Sequence, residues 1–147
     1  MENNTNNSVK INLVYEFEEQ YFIESVWAEN IGAYYKINNI PFLAPNVALG
    51  DIVSTVCDEE DGRLYFDELI KPSGHSVIQV VFFDLSSLDT ICGHLEKLGC
   101  GWEVSHISEL ISIDIPNEEV YNYTIVYLTE LEGNKIIDYR EACLGFK

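Results

Sequence analysis

Apolar and polar residues alternate along the first half of the chain, and this two-residue period predicts β-strands with one buried face. Between the strands lie turn-forming residues, among them Gly32 and an acidic run that ends in Gly62. Short strands joined by such turns predict a small, strongly curved sheet or barrel. The predicted strands are Lys10–Phe17, Ser25–Ile31, Ala33–Ile37, Asp51–Cys57 and Arg63–Ile70.

The period changes after Lys71–Gly74, a cluster of residues that break secondary structure and that we take as a subdomain boundary. A continuous apolar strand, Val77–Phe83, comes next, followed by apolar residues at helical spacing from Leu85 to Leu98. Ser86 and Asp89 predict the start of this helix, and Gly99 predicts its end.

The rest of the second half predicts two strands, a helix and a last strand. The two strands are Gly101–Ser108 and Glu109–Ile115. Pro116 opens the helix and Gly133 ends it. Its expected apolar stripe is formed by Val120, Tyr123, Tyr127 and Leu131, and the last strand spans Lys135–Tyr139.

Together these elements predict an α+β fold with an N-terminal small curved β-sheet or barrel of about five strands, followed by a ferredoxin-like βαββαβ half. The order strand, helix, strand, strand, helix, strand is that of the ferredoxin-like split unit. We expect a flexible N-terminus over residues 1–9, a β-rich subdomain over 10–72 and an α+β subdomain over 73–147.

The charge of the chain is strongly negative. It has 25 Asp and Glu against 8 Lys and Arg among 147 residues, a formal net charge of −17, while 47% of its residues are hydrophobic. That hydrophobic content is typical of globular proteins. A field of this sign repels nucleic acid and anionic lipid and attracts basic partners, although it also serves solubility alone.

The sequence predicts a soluble cytoplasmic protein. No apolar run approaches the ~20 residues of a membrane-spanning helix, and the polar, Asn-rich start lacks the features of a secretory signal. The cysteines form no Cys-x-x-Cys pair and have no His at zinc-finger spacing, so we expect four reduced thiols. They are Cys57, Cys92, Cys100 and Cys143.

Two sequence features invite a catalytic interpretation, and neither is convincing. Ser73, His75 and Ser76 could supply a nucleophile and a base, but neighbouring residues of a turn point in different directions, so a polar turn bonded to backbone is expected. Cys100 lies between two glycines, yet a reactive thiol needs an electropositive setting. We therefore predict no catalytic residue and no enzyme.

Metal and cofactor sites are also not predicted. His94 and His106 are scattered, one on a helix and one on a strand. The run Asp58–Asp61 offers carboxylates, but they are contiguous, whereas an EF-hand places its ligands at alternate positions of a twelve-residue loop. A solvated hairpin tip is the expected role of this run.

Acidic residues in two segments are the candidate contacts with a basic protein partner. Trp27 is expected in the core, although with Tyr34, Tyr35 and Phe42 it could also serve as an aromatic anchor if exposed. The candidate partner-binding residues are Glu16, Glu18, Glu19, Glu24, Asp58, Glu59, Glu60 and Asp61.

Four segments in sequence order resemble an uncharacterised bacterial family of domains of unknown function, over nearly the whole chain. The resemblance implies no activity and no site residues, but similar small proteins occur beside toxin genes, so the resemblance favours an immunity role. The segments are Val26–Glu29, Tyr35–Phe42, Gly50–Val53 and Pro72–Ser76.

The sequence thus predicts an acidic, immunity-type binding protein that neutralises a basic toxin domain by occluding it. The alternative is a small-molecule-binding or enzymatic domain, with a pocket between the two halves and polar groups near His75. A third reading is a regulatory accessory domain whose partner has no toxin activity.

Overall fold

The computed structural model describes residues 8–146. The predicted flexible N-terminus lies outside these residues except for Ser8 and Val9, which already belong to the first strand. The elements in chain order are β1 Ser8–Phe17, β2 Gln20–Ile31, β3 Tyr34–Ile37, β4 Ile52–Cys57, β5 Leu64–Lys71, β6 Ser76–Phe82, α1 Leu88–Leu98, β7 Gly101–Val104, β8 Leu110–Ile115, α2 Glu118–Gly133 and β9 Ile137–Cys143.

Strands β1 to β5 form a closed barrel, as the alternation predicted. Neighbouring strands run antiparallel, and a short parallel pairing of β1 with β5, Ile11 opposite Leu64, closes the ring. Inside, the apolar positions of the alternating pattern are almost fully buried, among them Ile11, Val26 and Val53. Burial of one face of each strand therefore stabilises the barrel.

The second half is the predicted ferredoxin-like unit. Its four strands are all antiparallel to their neighbours, in the order β7-β8-β6-β9. Both helices pack on one face of this sheet, where Ile78 and Ile111 meet Leu95 and Leu128 in a buried cluster. The other face carries none of the described helices and is turned toward the barrel. Ser112 and Arg140 on this face donate hydrogen bonds to the carbonyls of Pro41 and Leu43, in the loop between β3 and β4.

The start of α1 differs from the prediction. A short 3-10 turn at Leu85–Ser87 precedes the helix, and the carboxylate of Asp84 accepts the backbone N–H of Ser86 at 3.0 Å. Ser86 therefore does not cap the helix with its side chain. The predicted end is confirmed, because Gly99 adopts the left-handed conformation with φ of 109°.

The buried stripe of α2 also differs from the prediction. Leu131 is buried as predicted, and Val120 and Tyr127 pack against the core. The fully buried residues also include Thr124 and Leu128, whereas Tyr123 is 60% exposed. The Asn117 side chain accepts the N–H of Val120 at 2.9 Å and sets the start of the helix. Several faces of this helix carry large side chains, so the apolar pattern alone included Tyr123 and omitted Thr124 and Leu128.

Three strands differ clearly from their predicted limits. β7 ends at Val104 instead of Ser108. β2 begins at Gln20 instead of Ser25, and β9 spans Ile137–Cys143 instead of Lys135–Tyr139. The longer β2 pairs with β1 as far as Phe17 opposite Gln20, so the two strands form a ribbon that ends in a two-residue turn. None of the helices within residues 8–146 is long and apolar enough to cross a membrane.

Candidate binding surfaces

The β1–β2 ribbon has two faces with different surroundings. Its inner face continues the interior of the barrel, because Ile11 and Leu13 are buried there and Tyr15 follows them in the same alternation. Phe17 and Phe22 extend this inner face to the end of the ribbon. On the outer face Val14, Glu16, Tyr21 and Ile23 are all exposed to solvent.

Carboxylates and exposed apolar side chains lie side by side on the outer face and tip of the ribbon. Glu16 lies opposite Tyr21, which is 76% exposed, and Val14 lies opposite Ile23. We call this surface the ribbon patch; its residues are Val14, Glu16, Glu18, Glu19, Tyr21 and Ile23. An apolar patch flanked by charge is the composition of many protein-binding surfaces.

The turn at the tip of the ribbon is unusual for its residues. Glu18 and Glu19 have positive φ angles of 52° and 65°. A two-residue turn with both central φ angles positive favours Asn-Gly, because other side chains are strained in this conformation. The chain instead projects two adjacent carboxylates from the turn.

The predicted acidic run on the β4–β5 turn lies at the opposite end of the barrel. The Asp58 N–H donates to the carbonyl of Arg63, and Leu64 then pairs with Ile11 near the start of β1. Six residues of strand, about 20 Å, separate Ile11 from Phe17 at the ribbon end. The structure therefore does not bring the two groups of candidate acids together.

Within this turn the four acids differ in their hydrogen bonds. Asp58 accepts the N–H of Glu60 at 2.7 Å, and Asp61 accepts both the N–H of Arg63 and the hydroxyl of Tyr65. The Tyr65 hydrogen bond lowers the pKa of Asp61. The carboxylates of Glu59 and Glu60 accept no hydrogen bond from the residues that the structure describes.

Glu24 has a structural role that its sequence position did not suggest. Its carboxylate accepts the backbone N–H groups of Phe42 at 2.6 Å, Leu43 at 3.0 Å and Ala44 at 2.8 Å. The Pro41 carbonyl of the same loop accepts the hydroxyl of Ser112 from the second sheet. Glu24 thus holds the loop between β3 and β4, which contacts the second sheet, and we leave it out of the ribbon patch.

A cleft of about 610 Å³ lies between the inner face of the ribbon and the helix-free face of the second sheet. Tyr15, Phe17 and Phe22 line it from the ribbon, with the rings of Tyr15 and Phe22 stacked at 5.8 Å. Val81 and Leu110 line it from the sheet. Because Phe17 and Val81 are 52% and 41% exposed, the cleft presents apolar surface to solvent.

The cleft is also lined by the polar residues Gln79 and Arg140, which are paired on neighbouring strands. The Nη2 group of Arg140 donates to the carbonyl of Leu43 at 2.9 Å and also to Oε1 of Gln79. Burial and the negative charge of Glu24 raise the pKa of Tyr15, against the opposing effect of Arg140.

Ser73 and His75 lie in the turn that precedes β6, as expected, and Ser76 is the first residue of that strand. None of the three lines this cleft. The Ser73 hydroxyl donates to the Leu49 carbonyl at 2.8 Å, so it is not directed at a base. His75 Nδ1 instead lies 2.7 Å from a carboxylate oxygen of Asp114. Burial raises the pKa of Asp114, while the hydrogen bond and charge of His75 oppose that rise.

The surroundings of Cys100 favour an unreactive thiol, as the sequence predicted. It is buried beside Thr124, 3.2 Å from its hydroxyl, and burial raises its pKa. Burial also raises the pKa of Cys92 and of Cys143 to about 11. No cluster of three or more His, Cys, Asp or Glu side chains suited to a metal ion occurs within residues 8–146.

The expectation that Trp27 is a core residue is wrong. It lies on the outside of the barrel, 46% exposed, with the Lys10 ammonium 5.1 Å from the centre of its ring. Tyr34 is also exposed, at 40%. Buried and exposed residues alternate along this part of β2, and the buried positions beside Trp27 are those of Val26 and Ala28.

Sequence reasoning did not identify Gln79 and Arg140 or the apolar members of the ribbon patch. The sequence offered one signal, the single Gln79 in an otherwise apolar strand. Burial of a polar side chain is unfavourable unless a hydrogen bond compensates for it, so such a residue suggests a nearby polar partner. Tyr21 and Ile23 were missed because the predicted β2 began after them.

Comparisons with known proteins give a fold relative and a family match. The chain is similar to a hypothetical protein from Neisseria gonorrhoeae of known crystal structure, with a TM-score of 0.82 and 31% sequence identity. The similarity covers 94% of this chain and 96% of that one. The family model described as "Domain of unknown function (DUF4265)" matches residues 24–139. No curated protein matches the chain.

Proposed function

Since this chain belongs to the DUF4265 family of domains of unknown function, we propose, from its charge and its surface, that it is an acidic binding protein for a basic protein partner. The partner we propose is a toxin domain that the protein neutralises by occluding it. A cytoplasmic location is part of this proposal.

The observation that carries the proposal is the ribbon patch. Glu16, Glu18 and Glu19 form no hydrogen bond or ion pair with the residues that the structure describes, and Tyr21 and Ile23 beside them are exposed. Exposed aromatic and apolar side chains supply affinity in interfaces, while surrounding charges mainly raise the association rate.

The net negative charge of the whole molecule supports a positively charged partner. Among residues 8–146 no Lys or Arg side chain lies within ion-pair distance of an Asp or Glu carboxylate, so the acids are not neutralised by ion pairs with these bases. A net charge of −17 therefore acts outward on other molecules. Basic proteins are the macromolecules that such a field attracts most strongly.

Affinity capture with matched variants tests this proposal. The wild type and the E16Q/E18Q/E19Q variant serve as baits in lysate of the native host, at low and at high salt. We expect the wild type to retain one basic protein in a stoichiometric amount at low salt, to release it at high salt, and the variant to retain less.

The control is the E59Q/E60Q variant, which removes two carboxylates at the other end of the barrel. Equal retention by the wild type and the E16Q/E18Q/E19Q variant would contradict the ribbon patch as the contact. Relief of growth inhibition when the captured partner is co-expressed with this protein tests the toxin assignment.

A further inference from the structure

The cleft contains a buried hydrogen-bond donor without an acceptor. Gln79 is 5% exposed, and Arg140 donates to its Oε1 atom, which fixes the orientation of the amide. The Nε2 group is left buried with no partner among residues 8–146. An unsatisfied buried donor is unfavourable, so an acceptor oxygen that reaches Nε2 would bind there.

A positive charge lies beside this donor. The guanidinium of Arg140 has five N–H donors, and among the described residues none of them lies within ion-pair distance of a carboxylate. Asp138, two residues along the same strand and opposite Val81, also lines the cleft. The charge of Glu24 acts on Tyr15, as that of Arg140 does, but the Glu24 carboxylate is bonded to three backbone N–H groups. A free amide donor and an unpaired guanidinium together favour a group that only accepts hydrogen bonds, above all a carboxylate.

The remaining walls suit an apolar or aromatic body. The stacked rings of Tyr15 and Phe22, with Phe17 and Leu110, surround a volume of about 610 Å³. Sites for small molecules are typically clefts of roughly 300–1,000 Å³ with apolar walls and a few converging polar groups. The cleft has this construction.

We propose that the cleft binds a small apolar or aromatic carboxylate. Its carboxylate accepts from Nε2 of Gln79 and from Arg140, and its apolar body lies between the ribbon rings and the second sheet. The negative field of the protein opposes an anion at long range, but it is screened beyond about 10 Å at 0.1 M salt. This site lies on the inner face of the ribbon and is independent of the proposed protein partner.

Nuclear magnetic resonance with two matched probes tests the proposal on the isolated protein. The first probe is 1-naphthaleneacetate, and the second is 1-naphthylmethylamine, which carries a similar ring system with a cationic head. The chain has two glutamines, Gln20 and Gln79, so their side-chain NH₂ signals can be assigned by substitution. We expect the acetate to shift the Gln79 signals in a saturable way and the amine to leave them in place.

Two variants separate a specific site from general apolar binding. Gln79→Met keeps the length of the side chain and removes its donors, and we expect the acetate to bind it about tenfold or more weakly. Gln20→Met, at the ribbon end, should bind the acetate as the wild type does. Backbone spectra of each variant verify the fold.

The proposal is overturned if the acetate gives no saturable shift, or if the amine binds the cleft as tightly as the acetate. Equal affinity of the wild type and Gln79→Met would overturn it too. Should Gln79→Met fail to fold, the comparison of the two probes on the wild type still decides the outcome. Loss of this site leaves the partner proposal unaffected, because the capture experiment involves no small molecule.

Discussion

Glu16 and Glu24 lie on the two strands of one ribbon, but their carboxylates have different partners. Three backbone N–H groups donate to Glu24, which is half-buried, whereas Glu16 is exposed and has no partner among the described residues. A carboxylate bonded to backbone contributes to stability, and a free one contributes to the outward field. The function of each acid therefore follows from its neighbours in space.

The first prediction concerns the stability provided by Glu24. Glu24→Gln replaces one acceptor oxygen with a donor, so at least one N–H of Phe42, Leu43 or Ala44 loses its partner. We expect the free energy of unfolding to fall by about 1–3 kcal/mol. Urea denaturation, followed by tyrosine and tryptophan fluorescence, measures this change.

Glu29→Gln is the matched control for that prediction, because Glu29 is an exposed carboxylate on the same strand. We expect its free energy of unfolding to change by less than about 0.5 kcal/mol. A fall of the same size in both variants would show that loss of charge, and not loss of the loop contact, is responsible.

Most elements could be predicted from local patterns, and the exceptions have identifiable causes. The barrel strands follow the two-residue alternation, and Gly99 ends α1 as expected. The start of β2 was missed because Gln20–Ile23 follows two glutamates instead of the usual turn residues. Thr124 was left out of the buried face of α2 because its burial depends on Cys100, a neighbour that the sequence does not place beside it.

The second prediction concerns the turn between β1 and β2. E18N/E19G places residues that tolerate positive φ at both strained positions, and we expect stability to rise by about 1 kcal/mol. For a domain of this size the melting temperature should rise by about 2–4 °C, measured by differential scanning calorimetry.

E18Q/E19Q separates backbone strain from charge repulsion in this turn. It removes both charges and keeps two side chains that are equally strained at positive φ. An increase in melting temperature equal to that of E18N/E19G would mean that repulsion between the carboxylates, and not their backbone conformation, accounts for the gain.

The arrangement of the two halves is the part of the molecule that the sequence could not supply. It rests on contacts between residues far apart in the chain, such as the Ser112 hydroxyl with the Pro41 carbonyl and Arg140 with the Leu43 carbonyl. No local pattern links such residues, so the cleft and its Gln79 donor become visible only in three dimensions. The net charge, by contrast, follows directly from the sequence. The sequence did not show that the candidate acidic residues lie at two opposite ends of the barrel.

The most direct test of the central claim is the association rate of the purified partner with this protein, measured by stopped-flow at low and at high salt. We expect E16Q/E18Q/E19Q to slow association at low salt by about tenfold, with the difference shrinking at high salt. The E59Q/E60Q variant should associate nearly as fast as the wild type. Equal rates for the wild type and E16Q/E18Q/E19Q at low salt would contradict the ribbon patch as the binding surface.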